Sequence, residues 1–339
     1  MRRYGLPYKG SKNSIAEFIV ESIPSRTHFY DLFAGGGAVS HCAMLSGKFH
    51  TFHMNDIEDT PLLFLESVHG RYHYENRWIS REDFFNSNEP YVKYCWSFGN
   101  NLRSYLYGEE IEPYKKACHY AIVFDDFSLI KELCPEVYGV TKEALNGIKN
   151  IKKRRLAFGP SVIKELKRLG DWDLVQNNPL YKSAHWRSGK LDGKNNDLQS
   201  LESLERLERL QSLESLQRLQ SLSISQKSYD EVRILPDSVI YCDIPYRGTD
   251  EYISGQFDYE KFYVWCEKQK ELVVISEYDM PEDRFCCVES VQKRSLLSAK
   301  GAGELKTEKL FVPKHQIEMW LRLKGKYFNS FENQQAESA

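Results

Sequence analysis

Phe29-Tyr30-Asp31-Leu32-Phe33-Ala34-Gly35-Gly36-Gly37 is an apolar run of strand character that closes on three glycines. Glycine enters positive φ without a Cβ penalty, so this triplet lets the backbone reverse tightly. Ala38 to Ser46 then reads as a helix closed by Gly47, and Phe49 to Met54 as a second strand delivering Asn55-Asp56. Strand, glycine turn, helix, strand and acid form the unit by which a parallel sheet presents an adenosine-bearing cofactor. The glycines allow close approach, and the acid takes the ribose hydroxyls. Asp56 lies 19 positions beyond Gly37 (56 − 37), near the interval this unit requires. Gly35-x-Gly37-x-x-Ser40 lacks the third glycine of a dinucleotide fingerprint, and nothing in the chain resembles a hydride-transfer site with a proton donor.

A second apolar run, Ser238-Val239-Ile240-Tyr241-Cys242, ends in Asp243-Ile244-Pro245-Tyr246. Alone, such a tetrad reads as a strand-ending turn. Following the glycine turn, it reads as a device for a planar amine, whose lone pair is delocalised into its ring. Asp243 can accept one N–H, the Ile244 carbonyl the other, and Tyr246 can stack the ring, while Pro245 stiffens the turn.

With Tyr4-Gly5-Leu6-Pro7-Tyr8-Lys9-Gly10-Ser11-Lys12 at the N-terminus, the two motifs resemble the Dam-type DNA adenine-N6 methyltransferases. That family places its cofactor motif first, a target-recognition insertion next and the tetrad last. The resemblance covers both ends of the chain well and the middle loosely, and it departs at Ile244, where the family commonly has proline. It implies an α/β, Rossmann-like S-adenosylmethionine-dependent methyltransferase sheet with an inserted, mainly helical recognition domain. It also implies Asp243, Ile244, Pro245 and Tyr246 as catalytic residues acting on the N6 amine of an adenine flipped from duplex DNA. Tyr8, Lys12, Asp31, Phe33, Ala34, Gly35, Gly37, Asp56 and Asp243 are the expected cofactor-binding residues. No metal is needed, because a sulfonium is already an activated donor.

Composition suits a soluble globular protein: 41% apolar and 28% charged residues over 339 positions. No apolar run has membrane-spanning length and no signal segment opens the chain, so a cytoplasmic protein is expected, as monomer or homodimer. Eight cysteines without a Cys-x-x-Cys pair predict reduced thiols rather than disulfides or zinc. Net charge is −2, yet between Lys142 and Arg168 nine Lys or Arg stand against two Glu. Lys152, Lys153, Arg154 and Arg155, with Trp186 and Arg187 further on, are candidates for phosphate contact and base stacking. Asn100 and Asn101, after Trp96-Ser97-Phe98-Gly99, are candidates to read an adenine edge or fill the gap left by the extruded base. The alternative for each is a solvated helix face or a polar loop.

Boundaries follow. Residues 1–60 and 230–325 are expected to form a discontinuous catalytic domain, 61–197 the recognition insertion and 326–339 a tail. Ser14 with Glu17 forms a capping-box pattern before Ile15, Phe18, Ile19 and Ile23, predicting a first helix ended by Pro24. Gly159-Pro160 reads as a turn. From Leu198 to Leu222 leucine recurs at every third position, and blocks 198–209 and 210–221 differ only at Glu205/Gln217, Glu208/Gln220 and Arg209/Ser221. Segment 198–229 is expected to be a helix with a spiralling seam, plus a connector, at the edge of the catalytic domain. Competing functions are amino methylation of cytosine N4, RNA or a protein amide, and a catalytically silent DNA-binding protein on the same fold. A partner restriction enzyme is not legible in this chain.

Overall fold

Seven strands form one sheet in the computed structural model, which describes residues 4–8, 10–169, 202–217, 221–246, 257–294 and 305–325. The strands are β1 (His28–Asp31), β2 (Thr51–Asp56), β3 (Leu222–Gln226), β4 (Ser238–Cys242), β5 (Leu272–Glu277), β6 (Phe285–Arg294) and β7 (Leu305–Pro313), in the order β3-β2-β1-β4-β5-β7-β6. β3, β2, β1, β4 and β5 run parallel, whereas β7 is antiparallel to β5 and β6 to β7. The sheet therefore has the mixed, Rossmann-like order expected of a methyltransferase. Its direction of winding reverses between β1 and β4, and an open parallel sheet binds ligands beyond the carboxyl ends at such a point. β4 and β5 are buried at every position, as strands covered on both faces must be.

The chain divides into two units, Met1–Gly70 with Leu213–Ala339, and Arg71–Ser212. The first holds the sheet with α1 (Ala16–Ser22), α2 (Ala38–Ser46) and α3 (Thr60–Val68). Ser14 does not cap α1. Ser11 instead accepts the Asn13 N–H and starts a 3₁₀ turn, Lys12–Ser14, which places Lys12 inward, and Glu17 accepts the Tyr4 hydroxyl. On one face Tyr30, Leu32, Ile240, Cys242, Ile244, Phe262, Val273 and Ile275 share a core. Ile244 thus does more than carry a carbonyl, since its side chain is buried there.

The second unit, among its described residues, is helical: α4 (Arg81–Asn86), α5 (Pro90–Cys95), α6 (Glu112–Phe124), α7 (Ser128–Leu133), α8 (Pro135–Leu145), α9 (Ile151–Leu169) and α10 (Glu202–Ser212). Gly159-Pro160 does not break α9. Phe158, Val162 and Leu166 recur on one buried face, and their packing outweighs the missing proline N–H. The first unit closes with α11 (Tyr259–Lys268) and a helix over 317–325.

The leucine repeat is not one helix. Leucines every third residue step about 60° backwards around an α-helix, so three fit one face and a fourth lies opposite the first. Leu204, Leu207 and Leu210 are buried on α10, which stops at Ser212. Leu213–Leu216 is then a 3₁₀ turn, whose period of about three residues keeps Leu213 and Leu216 on one side. Leu222 opens β3, so the end of the repeat supplies a strand of the sheet.

Candidate active site

The ends of β1, β2 and β4 meet around a cavity of about 270 Å³ lined by residues of the first unit alone, among them Tyr8, Lys12, Asp31, Phe33, Gly35, Asp56, Tyr229 and Asp243. The glycine turn is its floor. Gly37 has φ +68°, and a Cβ there would sit 2.6 Å from Met54 Cε and 2.9 Å from the Phe64 ring. Gly36 admits no side chain either, because a Cβ would lie 2.6 Å from that of Tyr8. Gly35 and Gly36 thus bring backbone to the cavity wall, where a ligand can approach closely, whereas Gly37, expected to touch the cofactor, is not among the lining residues and is glycine because its Cβ direction meets Met54 and Phe64. Asn55 fixes the rim: its amide donates to the Leu32 and Lys227 carbonyls at 3.1 and 3.0 Å, and its oxygen accepts from Ser225 Oγ at 2.7 Å.

Five acidic residues line the cavity: Asp31, Asp56, Glu58, Asp243 and Asp258. Asp31 accepts from Ser40 Oγ at 2.6 Å through one oxygen, while its Oδ1 is buried without a hydrogen-bond partner. Burial pushes its carboxyl up to about 7 against the Ser40 hydrogen bond, and the negative charges of Asp243 and Asp56 add to the rise. Asp56 accepts the Gly35 N–H at 2.7 Å and the Glu58 N–H at 3.1 Å, so it braces the glycine turn. Burial raises its pKa and those two N–H donors oppose the rise. Glu58, which the sequence reading missed, reaches the Tyr8 hydroxyl at 3.5 Å.

Asp243 belongs to a second cluster beside the first. Lys12 Nζ lies 2.7 Å from Asp243 Oδ1, 3.4 Å from Glu308 Oε1 and 4.3 Å from the centre of the Tyr246 ring. Glu308 also accepts from the Tyr246 hydroxyl and from Ser276 Oγ, the latter at 3.0 Å. Burial works against the Lys12 charge, but Asp243 and Glu308 outweigh it and hold the ammonium above the ordinary lysine value. The Tyr278 ring leans on Tyr246 at 4.6 Å, and the Pro245 carbonyl accepts the Tyr259 hydroxyl at 2.9 Å. Glu308 escaped the sequence reading because a lone acid in the strand Lys306-Thr307-Glu308-Lys309-Leu310 has the pattern of an outward-facing position.

A cationic, adenosine-bearing group fits this cavity. Asp31 Oδ1 and the Tyr229 hydroxyl are buried polar atoms without partners on its wall, and the carboxylates supply the opposite charge. Phe33, Tyr229 and Phe257 line the cavity and are backed by the buried Phe262, with ring centroids 5.3–6.0 Å apart among the pairs Phe33–Tyr229, Tyr229–Phe257 and Tyr229–Phe262. Those rings give the cavity an apolar wall.

The residues expected to touch DNA fare differently. Lys152 and Lys153 are exposed on α9. Arg154 and Arg155 are not, which corrects their assignment to phosphates. Arg154 donates to the carbonyls of Ala121, Ile122, Leu145 and Ile148, at the ends of α6 and α8, and to Asp125. Arg155 pairs with Glu205 at 2.8 Å and Glu208 at 2.9 Å. Asn100 and Asn101 are engaged within their own turn: their amides donate to the Tyr94 carbonyl and Ser104 Oγ, and Asn101 Oδ1 accepts the Arg103 and Ser104 N–H groups. Trp186 and Arg187 lie outside the described residues. No group of acids, histidines or cysteines among the described residues is arranged for a metal, and no described helix is long and apolar enough to cross a membrane.

Residues 8–95 match the family model of the D12 class N6 adenine-specific DNA methyltransferases, which bears out the resemblance carried by the N-terminal and glycine motifs. The match takes in Tyr8, Lys12, Asp31, the glycine turn and Asp56, and ends before the tetrad. The family supports a site-specific adenine DNA methyltransferase, acting on DNA. No curated protein compared with the chain matches it.

Proposed function

We propose that this adenine-specific DNA methyltransferase uses S-adenosylmethionine and acts on an adenine swung out of the duplex, at a site built from the cavity and the Asp243 tetrad. One observation carries the reading: the β1 glycine turn, Asp56 at the end of β2 and Asp243 after β4 share one cavity at the reversal of the sheet. S-adenosylmethionine, when bound, supplies a methyl on a sulfonium, so that the C–S electrons leave with a neutral thioether while the amine lone pair forms the new N–C bond.

The chain's own residues do the rest. Asp31, Phe33, Ala34 and Gly35 line the methionine end, Tyr8 flanks it, and Asp56 meets the ribose while bracing Gly35. Asp243 accepts an N–H of the target amine and stabilises the positive charge that builds on nitrogen; the Ile244 carbonyl takes the second N–H, and Tyr246 stacks the base. The extra proton is lost after attack, so Asp243 orients and stabilises more than it deprotonates. Lys152 and Lys153 contact phosphates without reading sequence.

The test is transfer of labelled methyl from S-adenosylmethionine to unmethylated duplex DNA, followed by nucleoside analysis. Label on N6-methyladenine, abolished in Asp243→Ala with cofactor affinity retained, supports the reading. Label on cytosine, or undiminished transfer by Asp243→Ala, overturns it.

A further inference from the structure

In the free protein Lys12 occupies the place the reaction assigns to the target base. Its ammonium donates to Asp243 Oδ1 at 2.7 Å, where the N6 amine should donate, and lies 4.3 Å from the centre of the Tyr246 ring, where the base should stack. With Tyr278 on the same ring at 4.6 Å, Tyr246 has both an ammonium and an aromatic neighbour to rearrange before a purine can enter. An ammonium on Asp243 also cancels the negative charge needed to stabilise the developing cation on N6.

Lys12 therefore has to leave Asp243, and it is buried, so it needs another acceptor within reach. Glu308 is that acceptor. It is buried, its Oε1 already lies 3.4 Å from Lys12 Nζ, and its Oε2 is buried with no hydrogen-bond partner. A buried carboxylate oxygen left unsatisfied is costly, and Glu308 carries one on the same carboxylate that already lies 3.4 Å from the ammonium. Ser276 and the Tyr246 hydroxyl hold the other oxygen, so Glu308 keeps its place while Lys12 moves.

We propose that Glu308 is a positioning residue, the carboxylate that receives the Lys12 ammonium when the target amine takes Asp243. The proposal rests on the reading of Asp243 and Tyr246 given above. Before the base enters, one ammonium is shared unequally between two carboxylates. After it enters, Asp243 faces the amine and Glu308 holds Lys12, so no buried charge is left alone.

The experiment measures kcat, the KM for unmethylated duplex DNA and the Kd for S-adenosylmethionine in the full chain and three variants: Glu308→Gln, Lys12→Gln and the double. Glutamine keeps the Ser276 and Tyr246 hydrogen bonds but cannot hold the ammonium by charge. Competition for Asp243 occurs after DNA has bound, so Glu308→Gln should lower kcat about tenfold and leave both binding constants within about threefold. In the Lys12→Gln background the same substitution should change kcat less than about twofold, because no ammonium remains to be received. A merely structural Glu308 would give the tenfold loss in both backgrounds, and that result overturns the proposal. So does complete loss of transfer in Lys12→Gln, which would make the ammonium a participant rather than an occupant. If Glu308→Gln fails to fold by circular dichroism, Glu308→Asp serves instead, with the same dependence on Lys12 expected. Asp243→Ala run in parallel separates the two ideas. If it stays active, the reading of the site has failed; if it is inactive while Glu308→Gln matches the wild type, only the role of Glu308 has.

Discussion

Arg154→Met should destabilise the helical unit without acting on DNA directly, the reverse of what its basic run suggests. The Arg154 guanidinium is buried and spans the C-terminal ends of two helices, donating to Ala121 and Ile122 on α6 and to Leu145 and Ile148 after α8. Terminal carbonyls of a helix lack intrahelical partners and carry its negative dipole end, so one cation satisfies both. Methionine fills much of the volume but leaves those carbonyls without a donor. Four charge-assisted hydrogen bonds at about 1.5–3 kcal/mol each would overstate the loss, because the contributions are not additive. Breaking a buried charged network costs about 3–5 kcal/mol. At about 3 °C per kcal/mol for a unit of this size, the melting temperature should fall by roughly 9–15 °C. Lys152→Gln with Lys153→Gln should leave melting within about 0.5 kcal/mol, because both side chains are exposed. The same pair should lower the salt slope of DNA binding by about 1.8, at about 0.9 per phosphate. Calorimetric melting and fluorescence anisotropy at several salt concentrations measure the two effects. An Arg154→Met protein that melts like the wild type but loses DNA affinity and salt slope would refute the reasoning.

Asp31 should link pH to both stability and ligand binding. Its folded pKa is raised from 3.8 to about 7, so between those values the unfolded chain has released a proton that the folded chain keeps. Stability should therefore fall as pH rises through that window, and Asp31→Asn should flatten the fall in pH-dependent denaturant titrations. Binding of a cationic cofactor should strengthen as Asp31 ionises near pH 7, a trend isothermal calorimetry would find missing in the Asn variant. Asp56→Ala should weaken cofactor binding by about 1–3 kcal/mol, since the Gly35 brace goes with the carboxylate; unchanged affinity would remove Asp56 from the site. Glu205→Gln with Glu208→Gln, the residues of the second repeat block, takes two carboxylates from the buried Arg155 and should cost about 1–3 kcal/mol by thermal melting. Ile244→Pro keeps the carbonyl but empties a buried aliphatic position, so it should lower stability by about 1 kcal/mol or more while transfer persists.

What the sequence determined by itself is whatever rests on local chemistry in fixed order. The glycine turn, the Ala38–Ser46 helix with Gly47 behind it and the strand ending at Cys242 are legible because φ freedom, capping and apolar runs act within a few residues. The meeting of Asp31, Asp56 and Asp243 followed from those strands once a parallel sheet was assumed. Tertiary structure alone decided the rest. Lys152-Lys153-Arg154-Arg155 is one basic run in sequence, yet a helix turns successive residues by about 100°, so two meet solvent and two enter the core. Glu308 becomes part of the site only because β7 lies beside β5, bringing it to Ser276, Tyr246 and Lys12. Leu-Gln-Ser-Leu-Glu-Ser-Leu occurs at 198–204 and again at 210–216. Its Glu-Ser-Leu is α-helical at 202–204 and part of a 3₁₀ turn at 214–216. Identical local propensities reach different structures there because the first block carries Glu205 and Glu208 to pair with Arg155, whereas Leu213 and Leu216 are buried in the unit that holds the sheet.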